Sequence, residues 1–481
     1  MRKSILLKMP LVWQTSNRQS LHQRVFPRFG KTGLDFFQGL ENTDRVMKKT
    51  DAPVLKYSAK GRSRKVEDFL LRPPIEKGAD QIARKVLEDI RKKGDSAVLK
   101  YARQFDRAPA KMVQLRVSKA ELTAAAKAVD DDFKKAAEEA HKRIAQFAVA
   151  GLREDWKMPA PQGGWLGEKF VPLDRVGAYI PGGAAPLAST ALMTLTLAQV
   201  AGVPELVACT PSDSEGNVNP YILYALNLAG ATEIYKVGGI QAVGAMAYGT
   251  ETIAKVQKIV GPGGPYVTAA KRLVYGDVAL DMVAGPSEIA VLADESASPA
   301  HVAADLLSQA EHGTGSEKAL LVTTSEKLAK AVRTELAEQT KTLSRKGPVA
   351  KVMARGCVLV VVPNIGKGVE LCNRFAPEHM EVITKKAESV AKQITCAGAI
   401  FIGPWTPESV GDFAAGPSHV LPTGGTAAFF SGLTVEDFRR RVSLIHFKKG
   451  DLKETVSVVE AFGRVETLDA HARSATIRLK K

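Results

Sequence analysis

Between residues 78 and 104 apolar side chains recur at helical spacing, as in Ile82, Val86, Leu87 and Ile90. Lys93-Gly94-Asp95 interrupts the run and divides it into two helices. Ser118-x-x-Glu121 has the form of a capping box, and the spacing after it predicts one long helix to about residue 150. Beyond residue 175 the period changes. Short apolar runs predict strands over 176–180, 206–209, 234–237 and 258–260, with helices over 189–200, 221–228 and from 239 to 248 between them. A second series predicts strands over 289–292, 319–323, 358–362, 380–383 and 399–402, with helices near 299–311, 326–340 and 366–374. Strands alternating with helices mean parallel sheets joined by right-handed crossovers. In the first series, glycines fall where strands end and helices begin, at Gly238-Gly239 and Gly261-Pro-Gly-Gly264. Such strand ends are where these sheets bind ligands.

The fold class expected is α/β, with two Rossmann-like parallel-sheet domains whose shared pattern suggests duplication, though no residue-level repeat stands out. The chain divides into an extension over 1–50, a helical region over 51–175 joining the first α/β domain, a Rossmann-like domain over 176–287, a second over 288–433, and a C-terminal helical segment over 434–481. A loop rich in Gly, Pro, Ser and Thr follows Gly403. The last fifty residues are expected to return to helix and to finish in an exposed tail over 469–481.

Composition narrows the class. A chain of 481 residues exceeds one ordinary core, and 45% apolar with 25% charged residues matches soluble globular proteins. No apolar run approaches the roughly 20 residues of a membrane helix. The four cysteines, Cys209, Cys357, Cys372 and Cys396, form no C-x-x-C, which points to a reducing compartment and away from a cysteine zinc site. The net charge of +16 raises nucleic-acid binding as an option, but residues 1–50 hold ten Lys/Arg against three Asp/Glu. The rest of the excess is spread along the chain without a basic stripe interleaved with aromatics, so no nucleic-acid partner is expected. The first acid is Asp35. This start reads as a disordered extension dispensable for catalysis, with an organelle transit peptide or a translation start at Met47 as alternatives. The location expected is cytoplasmic, or an organelle if the basic segment is removed on import.

Several constellations carry chemistry. In Leu306-Leu-Ser-Gln-Ala-Glu-His-Gly313, Gln309 and His312 share a helix face and offer an amide oxygen and an imidazole nitrogen, half of a metal site. Glu378-His379 sits at an element boundary, where a carboxylate and an imidazole can move protons. Asp412 and His419 flank the loop Gly411-Asp-Phe-Ala-Ala-Gly-Pro-Ser-His-Val420; Asp412 is an oxygen donor suited to zinc, and His419 is either a ligand or a loop-packing residue. Glu466 and His471 stand near the chain end, a spacing that one helix face does not favour. Gly261-Pro-Gly-Gly-Pro-Tyr266 falls one glycine short of G-x-G-x-x-G, and there is no G-x-x-x-x-G-K-[ST], so the dinucleotide signal is indirect.

Six motifs occur in order: Tyr179-Ile-Pro-Gly-Gly-Ala-Ala-Pro-Leu187, Val237-Gly-Gly-Ile-Gln241, Ala284-Gly-Pro-Ser-Glu288, Leu307-Ser-Gln-Ala-Glu-His-Gly313, Ala376-Pro-Glu-His379 and His419-Val-Leu-Pro-Thr423. Together they resemble the histidinol dehydrogenase family, from about Asp68 to the C-terminus. The resemblance implies four-electron oxidation of L-histidinol by two NAD, through L-histidinal, to L-histidine. It implies one Zn2+ per site, held by Gln309, His312, Asp412 and His471. It makes Glu378 and His379 the acid–base pair, surrounds the substrate with Ser287, Gln309, His312, His379, Asp412, Glu466 and His471, and gives Tyr179 and Gln241 to NAD. It further implies a homodimer with shared active sites, in which the tail bearing Glu466 and His471 is exchanged. No cysteine lies within these motifs, which argues against a covalent thiohemiacetal.

Two departures bear on cofactor affinity: Gly264 stands where the family usually has an NAD-contacting Asn, and Val283 replaces a usual proline. Two other readings stay open at this level. One is a sister dehydrogenase for another small polar alcohol. The other is a non-catalytic metal- or nucleic-acid-binding protein, against which the intact Glu378-His379 argues.

Overall fold

The computed structural model describes residues 52–57, 63–72, 77–106, 108, 114–182, 186–283, 285–312 and 315–480. The extension over 1–50, residues 183–185 of the first motif, Ala284 and Gly313 lie outside them.

Two all-parallel sheets organise the chain. The first runs Glu233–Tyr235, Glu205–Cys209, Arg175–Tyr179, Lys258–Val260, Ala279–Leu280 in lateral order. The second runs Val54–Lys56, Cys357–Val361, Lys318–Thr323, Glu288–Ala293, His379–Ile383, Ala399–Ile402. In each series the first strand lies inside, the second and third extend one way, and the fourth and fifth the other. Both units therefore wind alike, as the alternation of strands and helices predicts.

The pleat sends successive side chains to opposite faces. In the five-stranded sheet Val176, Ala178, Leu206, Ala208 and Ile234 enter one core with helices Asp131–Ala150, Ala188–Val200 and Pro220–Leu228. Val207, Cys209, Tyr235 and Ile259 enter the other, with helices Lys77–Lys93, Asp95–Phe105, Gly239–Tyr248 and Pro265–Val274. The six-stranded sheet repeats this. Ile289, Val291 and Ala293 pack on Pro299–Ala310, Glu326–Thr340 and Lys346–Arg355, while Ala290, Leu292, Met380 and Val382 face Arg64–Leu70 and Ile365–Phe375. Coverage on both faces explains why these strands read as continuous apolar runs instead of alternating ones.

The structure differs from the pattern in several places. The long helix expected after Ser118 is two helices, Lys119–Ala128 and Asp131–Ala150. Val129 is extended, and the Asp130 side chain accepts from the Phe133 amide, a second cap that periodicity alone does not reveal. The helices Pro265–Val274 and Lys346–Arg355 have no counterpart in the expectation. Val54–Lys56 pairs with Cys357–Val361, so the N-terminal region also extends the second sheet. The last fifty residues do not begin as helix: Arg439–His446 pairs antiparallel with Trp165–Pro172, and Trp156–Pro159 completes a three-stranded sheet. Helices Lys449–Val465 and Asp469–Thr476 follow. Among the described residues no helix is long and apolar enough to cross a membrane.

Candidate functional site

Three elements of the second unit converge at the starting edge of the six-stranded sheet. Helix Ile365–Phe375 ends on Ala376, a non-glycine residue at φ 46°, and Pro377 prevents its continuation. The chain then turns directly into the central strand His379–Ile383, whose first residue is His379. The neighbouring strand begins at Glu288, so its backbone lies beside the pair. The Glu288 amide donates to Glu378 Oε2 at 3.1 Å, and the Glu288 carbonyl lies 3.3 Å from His379 Nδ1. Helix Pro299–Ala310 returns to this edge with Gln309, whose Oε1 is 2.9 Å from His379 Nδ1. Gly398 keeps the approach open, because a Cβ there would stand 2.6 Å from the Glu378 carbonyl.

These contacts define the imidazole. Nδ1 faces two oxygens that only accept, so it carries a proton and Nε2 is the reactive nitrogen. Nε2 is buried without a hydrogen-bond partner, 3.6 Å from Asp412 Oδ1 and 4.0 Å from Glu408 Oε1. Burial works against charge on His379, but the carboxylates of Glu378, Asp412 and Glu408 outweigh it and raise its pKa. Burial pushes Glu378 up to about 8 and Glu408 up to about 7. For Asp412 burial is again the largest effect and raises the pKa, but the facing histidines, His379 first, hold the carboxyl below its usual value.

His312, Glu408 and Asp412 place one ligand atom each within 4.8 Å of one another. Glu408 Oε1 is buried and unpaired, while its Oε2 accepts from Ser308 Oγ at 2.6 Å. Desolvation lowers the His312 pKa and favours the neutral imidazole a metal needs. Two carboxylates, one of them with an orphaned oxygen, and a neutral imidazole fit a divalent cation with nitrogen and oxygen ligands.

The other expected site residues are distributed as follows. Ser287 is half-buried one residue before Glu288, at the same edge. Gln309 lies beside His379, with its amide nitrogen unpaired. His419 has both nitrogens engaged, Nδ1 at 3.1 Å from the Asp412 carbonyl and Nε2 at 3.2 Å from Thr190 Oγ1, so it packs the loop and offers no free donor. Glu466 and His471 are exposed and are not brought to this cluster within one chain. Cys209, Cys357 and Cys372 are buried, and burial raises each thiol pKa, which leaves no reactive thiolate among these three.

Tyr179 and Gln241 sit elsewhere, at the finishing edge of the five-stranded sheet. Tyr179 closes its inner strand, and its hydroxyl accepts weakly from the Gly239 amide at 3.4 Å. Gln241 is fully buried in the first turn of helix Gly239–Tyr248. Its Oε1, with Thr210 Oγ1 and Ser212 Oγ from the adjacent strand end, is buried without a partner. Orphaned polar atoms grouped where a parallel sheet ends suit a bound dinucleotide.

Sequence reasoning missed Glu408 and Asp106. For Glu408 a signal existed next door: Glu381 interrupts an otherwise apolar central strand, and its Oε1 accepts from the Glu408 amide at 2.8 Å. A charge buried in such a strand marks a polar cluster.

Comparison with known proteins places the chain in a family. Residues 74–479 match the family model described as histidinol dehydrogenase. The chain is similar to histidinol dehydrogenase of Heliobacterium mobile, 46% identical over 396 residues, 82% of this chain and 92% of that protein. It is 44% identical over 414 residues to the enzyme of Geobacillus kaustophilus, covering 85% and 97%. The crystal structure of histidinol dehydrogenase from Elizabethkingia anophelis superposes with a TM-score of 0.85 at 37% identity, over 89% of this chain and 98% of that one.

Proposed function

The chain belongs to the histidinol dehydrogenase family and is an oxidoreductase of histidine biosynthesis; from that premise we propose that it oxidises L-histidinol with two NAD, using His379 and Glu378 for the proton transfers. The observation that carries this reading is the fixed imidazole. Gln309 and Glu288 hold Nδ1, and Nε2 opens on the cluster of His312, Glu408 and Asp412.

His379 Nε2 takes the hydroxyl proton as the first hydride leaves for the nicotinamide, giving the aldehyde. Glu378 takes a proton from water as that water adds to the aldehyde carbon, and His379 returns its proton to the carbonyl oxygen, giving the hydrate. The second hydride leaves from the hydrate as His379 again accepts a proton, giving the acid, whose remaining proton passes to solvent to leave the carboxylate. Glu378 suits the middle step because burial keeps its pKa near the working range, and the Glu288 amide fixes its orientation.

We assign a zinc ion to Gln309, His312, Asp412 and His471, with Ser287 and Glu466 beside the substrate. When bound, the ion orients the substrate's imidazole and amine and offsets the surrounding carboxylates. The exposed positions of Glu466 and His471 support a homodimer in which each tail completes the neighbouring site. NAD is assigned to Tyr179 and Gln241. The expected yield is two NADH per L-histidinol with purified protein, and a yield of one would remove the aldehyde step from this reading.

A further inference from the structure

Asp106 lies outside the six sequence motifs. It follows helix Asp95–Phe105 and reaches the turn that precedes helix Gly239–Tyr248. Its Oδ2 accepts from the Gly238 amide and from Gln241 Nε2, both at 2.8 Å. The approach depends on glycine, since a Cβ at Gly238 would stand 2.7 Å from Asp106 Oδ1 and 2.8 Å from Pro211 Cβ. The next residue, Gly239, is the one whose amide meets the Tyr179 hydroxyl. One carboxylate therefore braces the turn that also contacts Tyr179.

The consequence lies in the orientation of the Gln241 amide. An ionised carboxylate only accepts, so the amide must turn its nitrogen to Asp106. Oε1 is then the atom left over, and it is fully enclosed with no partner among the described residues. A buried acceptor of this kind is satisfied by a group that donates. A phosphate offers oxygens that accept, and it would be repelled by Asp106. A hydroxyl or an amino group fits.

We propose that Asp106 is a positioning residue for the dinucleotide: it fixes Gln241 so that Oε1 receives a hydrogen bond from a ribose hydroxyl or an amino group of the cofactor. This rests on the assignment of Gln241 to NAD above.

The test is NADH binding to the full-length protein, followed by fluorescence titration. Gln241→Ala and Asp106→Ala are each expected to weaken binding about tenfold, with the double variant no more than about twofold below the weaker single one, because both remove one coupled contact. Asp106→Asn, which keeps an acceptor, should recover most of the affinity, and the KM for L-histidinol should stay unchanged in all of these variants. If Gln241→Ala binds NADH normally, the assignment of Gln241 to the cofactor fails. If Gln241→Ala is weakened while Asp106→Ala is not, or if the two losses add fully, the positioning role of Asp106 is overturned. If Asp106→Ala does not fold, Gln241→Glu decides. It keeps an acceptor at this position but sets two carboxylates against each other, so it should lose affinity about tenfold. NADH binding by Gln241→Glu equal to that of the parent overturns the proposal.

Discussion

Two residues carry sharp consequences by themselves. Glu378 has its carboxyl held up to about 8 by burial, so its basic form fills only as pH rises through that value. Oxidation of the aldehyde should therefore climb between pH 7 and 9. Glu378→Gln keeps an acceptor for the Glu288 amide but removes the base, and should slow aldehyde oxidation about 10²–10⁴-fold while sparing alcohol oxidation. Separate assays starting from L-histidinol and L-histidinal check this, and equal losses in both would contradict the role. Gly264 is the second. It caps helix Pro265–Val274 at φ −67°, without a side-chain bond, and a Cβ there meets nothing within 4 Å. Asn fits without strain and can bond to the cofactor, so Gly264→Asn should lower the KM for NAD several-fold, by roughly 0.5–1.5 kcal/mol for one hydrogen bond. An unchanged KM would place this turn away from NAD. At this scale Glu378, His379 and Gln309 drew attention because they stand in dense motifs, and Asp412 because it flanks a long Gly-rich loop. Glu408 and Asp106 were not, since an isolated acid at a helix end looks like solvated surface until the fold buries it.

Among elements, legibility followed burial. A strand buried on both faces, Lys258–Val260, has the bounds that its apolar run predicts. The antiparallel sheet escaped because Trp156–Pro159 is exposed along its whole length and Arg439–His446 shows no apolar face, opening with three arginines. Those strands are specified by pairing, which is not written in either segment alone. The break at Asp130 was hidden for a different reason, as helical spacing continues across it while a cap acts locally. Asp130 accepts from the Phe133 amide and from the Tyr221 hydroxyl, each at 2.8 Å. Asp130→Ala should cost about 1 kcal/mol through the lost cap, seen as a lower Tm with kcat unchanged. A Tm within error of the parent would mean that the helix start is held by packing instead.

For the whole molecule, the two sheets were legible from strand–helix alternation, whereas a shared site was expected from the family resemblance alone, since no spacing within one chain reports on a second copy. Glu466 and His471 stand exposed, so each site is completed only if the tail crosses to a second copy. Mixing a His379→Ala chain with a His471→Ala chain tests it. With crossed tails one site of the heterodimer holds both defects and the other holds neither, so activity returns to up to about half that of the parent. Confirmed exchange without recovery would exclude the shared site. Removal of the metal should act on stability as well as on rate. Without a cation the buried carboxyl of Glu408, pushed up to about 7, prefers its proton in the folded state, and His379 shifts in the same sense. Folded protein then binds more protons than unfolded, so the chelated enzyme should gain Tm as pH falls from 8 toward 5, while the zinc-loaded enzyme should not. Parallel profiles for the two forms would show that the carboxylates are not what the cation offsets. A chain that folds less securely without its ion also spends more time open to proteases. Zinc scarcity would then thin the enzyme's numbers in the cell, and restoring the ion would restore turnover only as fast as new chains were made.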